Sequence, residues 1–396
     1  MVDEFRCQVR VLVARLRRSD APARSVEWRT RCGSFARVLA VAGGIWAVAA
    51  AQGPVAIAPV RATDALAQDP DDAAVWISRR DPARSLVIGT VKAAAPDGAL
   101  AVFGLDGRLR QLVKGPDRPN NVDVEYGLPL AGVPTDIAVV TERLGRRLRA
   151  YAIAADGSAL ADVSADSLAR VLEGARDNEG APMGIGLYRR PRDGAIFAIV
   201  APKAGPKTNY LWQYRLVDEN GRVGARFVRR FGDFSGRKEI EAVAVDDDLG
   251  YVYYADEDTG IHKWHADPDA PAADRELALF ATSGYQGDRE GIGIYTRADG
   301  TGFIVSVDQL PGNSVMHVYR REGEPGRPHD HTRDLAQFTI GADSTDGLDV
   351  ASGPLGADFP DGLMVAMNSG PRTFLLVRWQ DIAARIDAAA ATNRRR

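Results

Sequence analysis

Short apolar runs separated by turn residues fill most of the chain after residue 68. The runs hold five or six residues rich in Val, Ile and aromatic side chains, and Gly, Pro, Asp or Asn bounds them. This pattern is typical of β-strands joined by tight turns. We expect strands at AAVWI (73–77), LVIGT (86–90), LAVFGL (100–105), DIAVVT (136–141), AIFAIV (195–200), YVYYA (251–255), GFIVSV (302–307) and GLMVAM (362–367).

Two longer stretches have a helical pattern instead. They are SADSLARVLEGA (164–175) and WQDIAARIDAAAA (379–391), in which apolar residues recur every three or four positions. Asp166 or Ser167 stands where a residue that caps the first helix is expected. With so few helices among so many strands, the chain is predicted to be all-β.

One strand that carries an aromatic residue recurs at intervals of 48 to 63 residues, at Phe103, Tyr151, Tyr214, Trp264, Tyr319 and Trp379. The first three run into turns that suit hairpins, because Gly and Asn tolerate positive φ: Asp106-Gly107, Asp156-Gly157 and Asn220-Gly221. Six units of about four strands each predict a six-bladed β-propeller. The alternatives are a pair of β-sandwiches or a β-helix. The intervals are too long for the coils of a β-helix, and no linker divides residues 69–387.

Residues 1–51 differ in composition from the rest. They hold nine arginines and four acidic residues, and they end in an apolar run (38–51) that closes on three alanines. This order is typical of a secretory signal, so we expect residues 1–51 to be removed and the mature protein to be secreted or periplasmic. The alternative is a disordered N-terminus with an incidental apolar run. We interpret 52–67 as a linker, 68–387 as the propeller and 388–396 as a disordered tail.

The charge balance changes once the first 51 residues are set aside. The remaining chain keeps 41 of the 50 basic and 49 of the 53 acidic residues, a formal net charge of −8. A negative chain is a poor ligand for nucleic acid and suits a protein that binds cations. Both cysteines, Cys7 and Cys32, lie in the segment expected to be removed. The mature chain would then have no disulfide, no zinc thiolate site and no cysteine nucleophile.

Acidic residues recur near the ends of the expected strands, and the densest group lies in residues 238–264. There Glu241 precedes one strand, Asp246 to Asp248 stand at a turn, and Asp256, Glu257 and Asp258 end the next strand. The inner strands of a propeller converge on one channel, so carboxylates from several blades can meet at one face. Calcium takes six to eight oxygen ligands in a flexible geometry and suits such a pocket. Acids in a similar setting are Asp69, Asp71, Asp72, Asp123, Glu125, Glu239, Asp288, Glu290, Asp346 and Asp349.

An alternative for these residues is that Asp at a turn caps backbone amides. Capping accounts well for Asp156 and Asp299. It accounts less well for Glu241 and Glu290, because each leads directly into an apolar strand.

Basic residues follow three of the expected strands, at Lys92, Arg143 and Lys203. Beside carboxylates that hold a metal ion, they would place an anion between the metal and the side chains. Phosphate fits this position, since Lys and Arg donate charge-assisted hydrogen bonds to its oxygens. The alternative is that each is an ordinary solvated charge at the rim.

Nine stretches, in this order, resemble the β-propeller phytases, the alkaline, calcium-dependent phytases: DPDDAAVWI, NNVDVEYGL, DIAVVTER, GIGLY, IEAVAVDDDLGYVYYADEDTGIHKW, REGIGIY, STDGLDV, FPDGLMVAMN and VRWQDIAARI. The resemblance covers residues 68–387. It implies a six-bladed propeller and calcium-dependent removal of phosphate from phytate, an inositol that carries phosphates at all positions. The sequence departs from the family's pattern at Met183, Ala93, Ser344 and Met367-Asn368.

The resemblance also implies roles for individual residues. The carboxylates that hold the active-site calcium ions would be Asp71, Asp72, Glu241, Glu257, Asp288 and Glu290. The cations that grip the substrate phosphates, one at a cleavage site and one at a neighbouring affinity site, would be Lys92, Arg143 and Lys203.

Together these observations predict a phosphomonoesterase with several calcium ions as cofactors. We expect a metal-activated water to attack phosphorus in line, with no covalent phospho-enzyme. The calcium ligands would be the six carboxylates above with Asp258 and Asp346. Glu241, Glu257, Glu290 and Asp71 would act in catalysis with Lys92, Arg143 and Lys203, which would stabilise charge on the equatorial oxygens.

The expected substrate is phytate as its calcium salt, together with lower inositol phosphates. We expect a monomer that binds no nucleic acid and, after processing, no membrane. Two other functions are compatible with the sequence. One is a lactonase-like propeller hydrolase that uses a single calcium ion, and the other is a non-catalytic binding propeller.

Overall fold

The structure is a computed structural model that describes residues 53–394. The predicted secretory segment, residues 1–51, therefore lies outside the described residues. Within them, 25 strands form six sheets. The inner strand of each sheet contacts the inner strands of its two neighbours, and the contacts close into a ring. This arrangement confirms the predicted six-bladed β-propeller.

Two short strands come first in the chain, β1 (Val55–Ala56) and β2 (Arg61–Ala62). Blades 1 to 3 are then built from consecutive strands, innermost first. Blade 1 consists of β3 (Pro70–Trp76), β4 (Leu86–Val91), β5 (Ala99–Gly104) and β6 (Leu109–Lys114). Blade 2 consists of β7 (Pro119–Leu130), β8 (Val133–Glu142), β9 (Arg147–Ile153) and β10 (Leu160–Asp162). Blade 3 consists of β11 (Pro182–Arg189), β12 (Ile196–Pro202), β13 (Thr208–Glu219) and β14 (Arg222–Asp233).

The second half repeats this plan and then returns to the start of the chain. Blade 4 consists of β15 (Val243–Asp246), β16 (Tyr251–Asp256), β17 (Gly260–His265) and β18 (Ala278–Phe280). Blade 5 consists of β19 (Asp288–Thr296), β20 (Gly302–Gln309), β21 (Val315–Arg320) and β22 (Ala336–Thr339). Blade 6 consists of β23 (Leu348–Ser352), β24 (Gly362–Asn368) and β25 (Thr373–Arg378). Helix α1 (Trp379–Arg394) follows, and short 3₁₀ turns lie at Pro82–Arg84, Asp166–Arg170 and Asp177–Gly180.

The first two strands complete the last two blades. β2 pairs antiparallel with β25 and supplies the fourth strand of blade 6, while β1 pairs parallel with β22 at the outer edge of blade 5. This corrects the interpretation of 52–67 as a linker. The physical reason is that β25 would otherwise be an unpaired edge, and any nearby extended segment can satisfy its backbone groups.

The hydrophobic core is divided among the interfaces between blades. Six clusters of buried apolar side chains occupy the six pairs of neighbouring blades. Phe103 of blade 1 meets Phe374 of blade 6 edge-to-face at 6.0 Å between ring centroids. At the next interface Trp379, the first residue of α1, stacks on Tyr295 of blade 5 at 3.8 Å. Each blade therefore buries both faces of its sheet, which explains the continuous apolar runs in the sequence.

The eight expected strands are all present, and six of them are the second strands of the six blades. Five of the six recurring aromatic residues lie on third strands, whereas Trp379 begins α1 directly after β25. The three predicted hairpin turns join third to fourth strands, and Gly107, Gly157 and Gly221 each have positive φ there. The aromatic repeat was therefore a repeat of whole blades.

The two expected helices have different outcomes. The C-terminal one forms and continues to Arg394, past the boundary at which a disordered tail was predicted to begin. Residues 164–175 form only the 3₁₀ turn Asp166–Arg170. Ser164 is bridged to Val223 of β14, and Leu172 has a φ of 56°, a left-handed conformation that an α-helix cannot contain. Pairing with blade 3 therefore overrides the helical pattern.

Candidate active site

One rim of the propeller collects the residues at the starts of the inner strands and at the ends of the second strands. Asp71 and Asp72 lie at the start of β3, and Asp288 and Glu290 lie at the start of β19. Glu257 directly follows β16. One central cavity of about 180 Å³ is lined by six of the acids named from the sequence, which are Asp72, Asp123, Glu241, Glu290, Asp346 and Asp349. The chain therefore brings acids from different blades to one place.

Two glycines let neighbouring inner strands approach closely at this rim. A Cβ on Gly184 of β11 would overlap the carbonyl oxygen of Glu241. A Cβ on Gly291 of β19 would lie 2.6 Å from the backbone nitrogen of Leu348. The Gly291 N–H donates to the carbonyl oxygen of Asp346 at 2.8 Å, which fixes blades 5 and 6 to each other. The Gly-Ile-Gly motifs thus set the spacing between the acidic residues.

Three carboxylates form the tightest group. Glu257, Asp288 and Glu290 each offer an oxygen, and these oxygens lie within 4.8 Å of one another. Burial, together with the charges of Glu241 and Asp288, raises the pKa of Glu257 to about 8. Burial and the neighbouring charges of Glu257 and Glu241 raise the pKa of Glu290 well above its usual range. Like charges this close are unstable without a cation, and the ammonium of Lys238 contacts only Asp288 of the three.

A second group surrounds Lys92. Its ammonium is in ion-pair contact with Asp71 and lies 3.0 Å from Oδ2 of Asp346. Burial lowers the pKa of Lys92, but the charges of Asp71 and Asp346 outweigh it and the net shift is upward. Burial raises the pKa of Asp71 well above its usual range although Lys92 opposes the shift. Oδ2 of Asp71 is buried without a hydrogen-bond partner.

Glu241 lies between the two groups. Burial raises its pKa to about 7, Lys92 opposes the shift, and Asp346 and Glu239 add to it. Its Oε2 accepts a hydrogen bond from Nδ2 of Asn120 at 3.2 Å. Because Glu241 lies beside both groups, its carboxylate can bind a cation held in either group.

Asp72 faces the channel, where the backbone partly satisfies it. Its Oδ2 accepts the N–H of Val122 at 3.1 Å. Burial raises the pKa of Asp72 to about 7, although that hydrogen bond lowers it. Asp72 therefore ties blade 1 to blade 2 and still presents charge to the cavity.

The predicted cations lie at the same rim. Lys203 contacts the carboxylate of Glu239, which precedes Glu241 by two residues. Arg143 directly follows β8, and its N–H donates to the carbonyl oxygen of Arg118 at 3.0 Å. Within residues 53–394 the Arg143 side chain forms no ion pair. The rim thus combines carboxylates with cations, as a site for a metal and an anion requires.

Some predicted acids have other partners. Asp258 pairs with Arg237 at 2.8 Å at the surface and is not part of the three-carboxylate group. Asp256 accepts the N–H of Ser235 at 2.6 Å and so caps a loop. Asp246 is buried in an ion pair with Arg321 of blade 5. For these three residues the capping or structural alternative describes the contacts.

Other residues at the rim were not among the predicted site residues. Asn120 and Gln309 bind Glu241 and Asp346, respectively, and Lys238 binds Asp288. Asn120 stands inside the NNVDVEYG motif, so the motif itself was the available signal. Gln309 and Lys238 lie in no distinctive pattern, and only the fold brings them to the carboxylates.

Comparison with known proteins agrees with this geometry. A family model described as phytase matches residues 36–394. A 3-phytase of Bacillus subtilis (strain 168) is 30% identical over 344 residues, which are 82% of this chain and 82% of that protein.

Solved structures of lower similarity also match. A crystal structure of BBS1N in complex with ARL6DN, soaked with lead, has 12% identity and a TM-score of 0.42, covering 78% of each chain. A mercury-soaked structure of the same complex has 12% identity and a TM-score of 0.43, covering 78% of this chain and 79% of that one.

Proposed function

The chain belongs to the phytase family and hydrolyses phosphomonoester bonds, and on this premise we propose that it removes phosphate from phytate with the help of calcium ions. Phytate and lower inositol phosphates are the proposed substrates, with the calcium salt of phytate as the form that binds. The rim described above is the proposed active site. The observation that carries the proposal is the close group of Glu257, Asp288 and Glu290 beside the cations of the same rim.

The residues present fit calcium. Calcium takes six to eight oxygens at flexible distances, and this rim offers mainly carboxylate oxygens. Burial raises the pKa of Glu257 and Glu290, as expected for carboxylates that lack enough positive charge. The buried Oδ2 of Asp71 has no hydrogen-bond partner and can accept a metal ligand bond. We propose that calcium is held by Asp71, Asp72, Glu241, Glu257, Asp288, Glu290 and Asp346.

Asp258 is a weaker candidate ligand than the others. Its contact with Arg237 at the surface already neutralises it. We therefore use Asp258 as the matched control for the buried carboxylates.

The cations have a separate task in this proposal. Lys92 and Lys203 contact carboxylates of the rim, Arg143 directly follows β8, and each can donate to a phosphate oxygen. Lys92 and Lys203 are paired with carboxylates in the absence of substrate, so a phosphate would compete for them. Their charge would stabilise the equatorial oxygens as the leaving group departs. Bound calcium would neutralise the phosphate and lower the pKa of the attacking water.

The test is phosphate release from calcium phytate by the full chain. We expect a strong chelator to abolish release, and Glu241→Gln to lower kcat by roughly 100-fold or more, as when one electrostatic stabiliser of the transition state is removed. Asp258→Asn should retain most of the activity. Undiminished release both with chelator and in Glu241→Gln would contradict the proposed site.

Export and assembly remain part of the proposal. The apolar run of residues 38–51 supports export, and no helix in the described range is long and apolar enough to cross a membrane. We propose a secreted or periplasmic monomer. Mass spectrometry of the N-terminus of protein collected outside the cytoplasm checks the cleavage, and sedimentation checks the monomer.

A further inference from the structure

Three blades share one arrangement of side chains, which we call the relay. An acid at the end of the second strand faces an arginine or a histidine on the third strand, and a second acid lies on the other side of that residue. The three relays are Glu142–Arg149–Asp162 in blade 2, Asp256–His262–Glu276 in blade 4 and Asp308–His317–Asp334 in blade 5. The two relays that contain a histidine belong to blades 4 and 5. These blades also supply the group of Glu257, Asp288 and Glu290.

The relay of blade 5 leads to Asp288. Nδ1 of His317 lies 2.7 Å from Asp334, and Nε2 lies 3.9 Å from Oδ2 of Asp308. The imidazole is buried and stacks on Tyr285 at 4.1 Å between ring centroids. Asp308 in turn accepts the N–H groups of Gln286 and Gly287, at 3.0 and 2.7 Å. These two residues directly precede Asp288, so Asp308 fixes the backbone from which that carboxylate projects, and His317 packs against Asp308 with Nε2 beyond hydrogen-bond distance.

The relay of blade 4 leads to Glu257 in the same way. His262 is in contact with Glu276, stacks on Tyr254 at 4.7 Å and places Nε2 at 3.9 Å from Asp256. Asp256 accepts both the N–H and the hydroxyl of Ser235, at 2.6 and 2.9 Å. Glu257 is the next residue in the chain. It lies in the turn that follows β16, so the contacts that hold Asp256 also hold the backbone from which Glu257 projects.

Blade 2 repeats this logic with a permanent cation. Arg149 binds Glu142, which accepts the N–H of Asp117 at 2.9 Å and directly precedes Arg143. The two histidines occupy the position on the third strand that Arg149 has in blade 2. Burial lowers the pKa of His317, but Asp308 and Asp334 outweigh it and the net shift is upward.

We propose that His262 and His317 are positioning residues that set the calcium affinity of the group formed by Glu257, Asp288 and Glu290. The inference rests on the proposed function, since it requires that this group binds calcium. Three carboxylates within 4.8 Å repel one another, so the metal-free protein must hold them together by its backbone. The two relays hold the backbone on either side of the group. Outer residues of this kind tune metal sites through the ligands that they orient.

The test is calorimetric titration of calcium into chelator-stripped full-length protein, for wild type, His262→Gln and His317→Gln. We expect calcium to bind each variant about 10-fold more weakly, as for other residues that orient metal ligands. The calcium concentration for half-maximal activity should rise in parallel, while kcat at saturating calcium stays near that of wild type. His265→Gln is the matched control, because His265 lies on the same strand as His262 but packs against Tyr251 and forms no ion pair in the described part of the chain.

Two milder variants cover the case in which a histidine variant fails to fold. Asp334 and Glu276 are partly exposed, and Asp334→Asn and Glu276→Gln remove only the outer acid of each relay. They should also weaken calcium binding without lowering the melting temperature below the assay temperature. If wild type binds calcium and the folded variants bind it with the same affinity, the proposed role of the two histidines is wrong and the proposed function is unaffected. No calcium binding by wild type would overturn the proposed function and this inference with it.

Discussion

Lys263 is a buried amine that contacts no carboxylate of residues 53–394. Its side chain is fully buried, and the ammonium donates to the carbonyl oxygen of Pro328 at 2.8 Å and contacts Nε2 of His331 at 3.0 Å. It also lies 4.0 Å from the centroid of the Tyr251 ring. Burial lowers the pKa of Lys263 to about 7, and the charge of Asp246 opposes this shift only in part. A lysine of this kind makes stability depend on pH.

Replacing Lys263 by Met should remove that dependence. Between about pH 7 and pH 10 the unfolded chain keeps the lysine proton and the folded chain releases it, so the contribution of Lys263 to stability rises with pH in this range. Relative to Lys263→Met, the free energy of unfolding of wild type should gain up to about 1 kcal/mol per pH unit. Urea unfolding of both proteins at about pH 7.5 and pH 9.5 measures the change.

Lys114→Met is the control, because Lys114 is an exposed residue at the end of β6. Its difference from wild type should be the same at both pH values. If Lys263→Met also differs from wild type by a constant amount, Lys263 is charged in the folded protein throughout this range.

At the residue scale, the sequence marked the acids that the fold brings together better than it marked the residues that support them. Glu241 and Glu290 were visible because an acid directly before an apolar strand needs a partner. The relay of Asp308, His317 and Asp334 was not visible, because Asp308 and His317 lie on neighbouring strands, Asp334 lies in the loop before β22, and only the fold brings them together. Asp258 shows the opposite case, an acid in a conspicuous cluster that pairs with Arg237 at the surface.

At the scale of elements, β2 has an effect out of proportion to its length. Its two residues carry no hydrophobic pattern, so no sequence signal marked it. Its effect comes from the backbone, since Val60 and Thr63 on either side donate to the carbonyl oxygens of Leu376 and Phe374 at 2.8 and 2.9 Å. The hydroxyl of Thr63 also accepts the N–H of Phe374 at 2.9 Å. β2 thereby closes the last blade.

Thr63→Pro tests this closure. Proline removes the N–H and the hydroxyl together, so two hydrogen bonds at about 1 kcal/mol each are lost, with added strain at the strand. We expect the free energy of unfolding to fall by more than about 2 kcal/mol. Thr63→Ala removes the hydroxyl alone and should cost about half as much. Equal stability of the proline and alanine variants in urea unfolding would show that the N–H contact of Thr63 contributes nothing.

At the scale of the whole molecule, the ring was predictable and its closure was not. The aromatic repeat and the turns marked blades as units, because each blade uses the same strand order and buries the same faces. The fourth strand of blade 6 is β2, which comes from the other end of the chain and pairs with β25, as Ala62 does with Leu375. No repeat in the sequence includes it. The arrangement of the site depends on this closure, since Asp71 and Asp346 stand on opposite sides of the join between blades 1 and 6.

Because the rim carboxylates come from blades 1, 4, 5 and 6, a cation bound among them should stabilise the whole ring. Calcium at about 100 times its dissociation constant would add about 2.7 kcal/mol and raise the melting temperature by several degrees. Glu290→Gln should melt higher than wild type without calcium, since it removes a buried repulsion, and should lose most of the calcium shift. Magnesium should have a smaller effect, because it requires a stricter octahedral geometry. Calorimetry measures the rise in melting temperature that calcium causes, with Asp258→Asn as the control that should behave like wild type. If Glu290→Gln shows the same rise as these two proteins, the stabilising ion binds elsewhere in the protein.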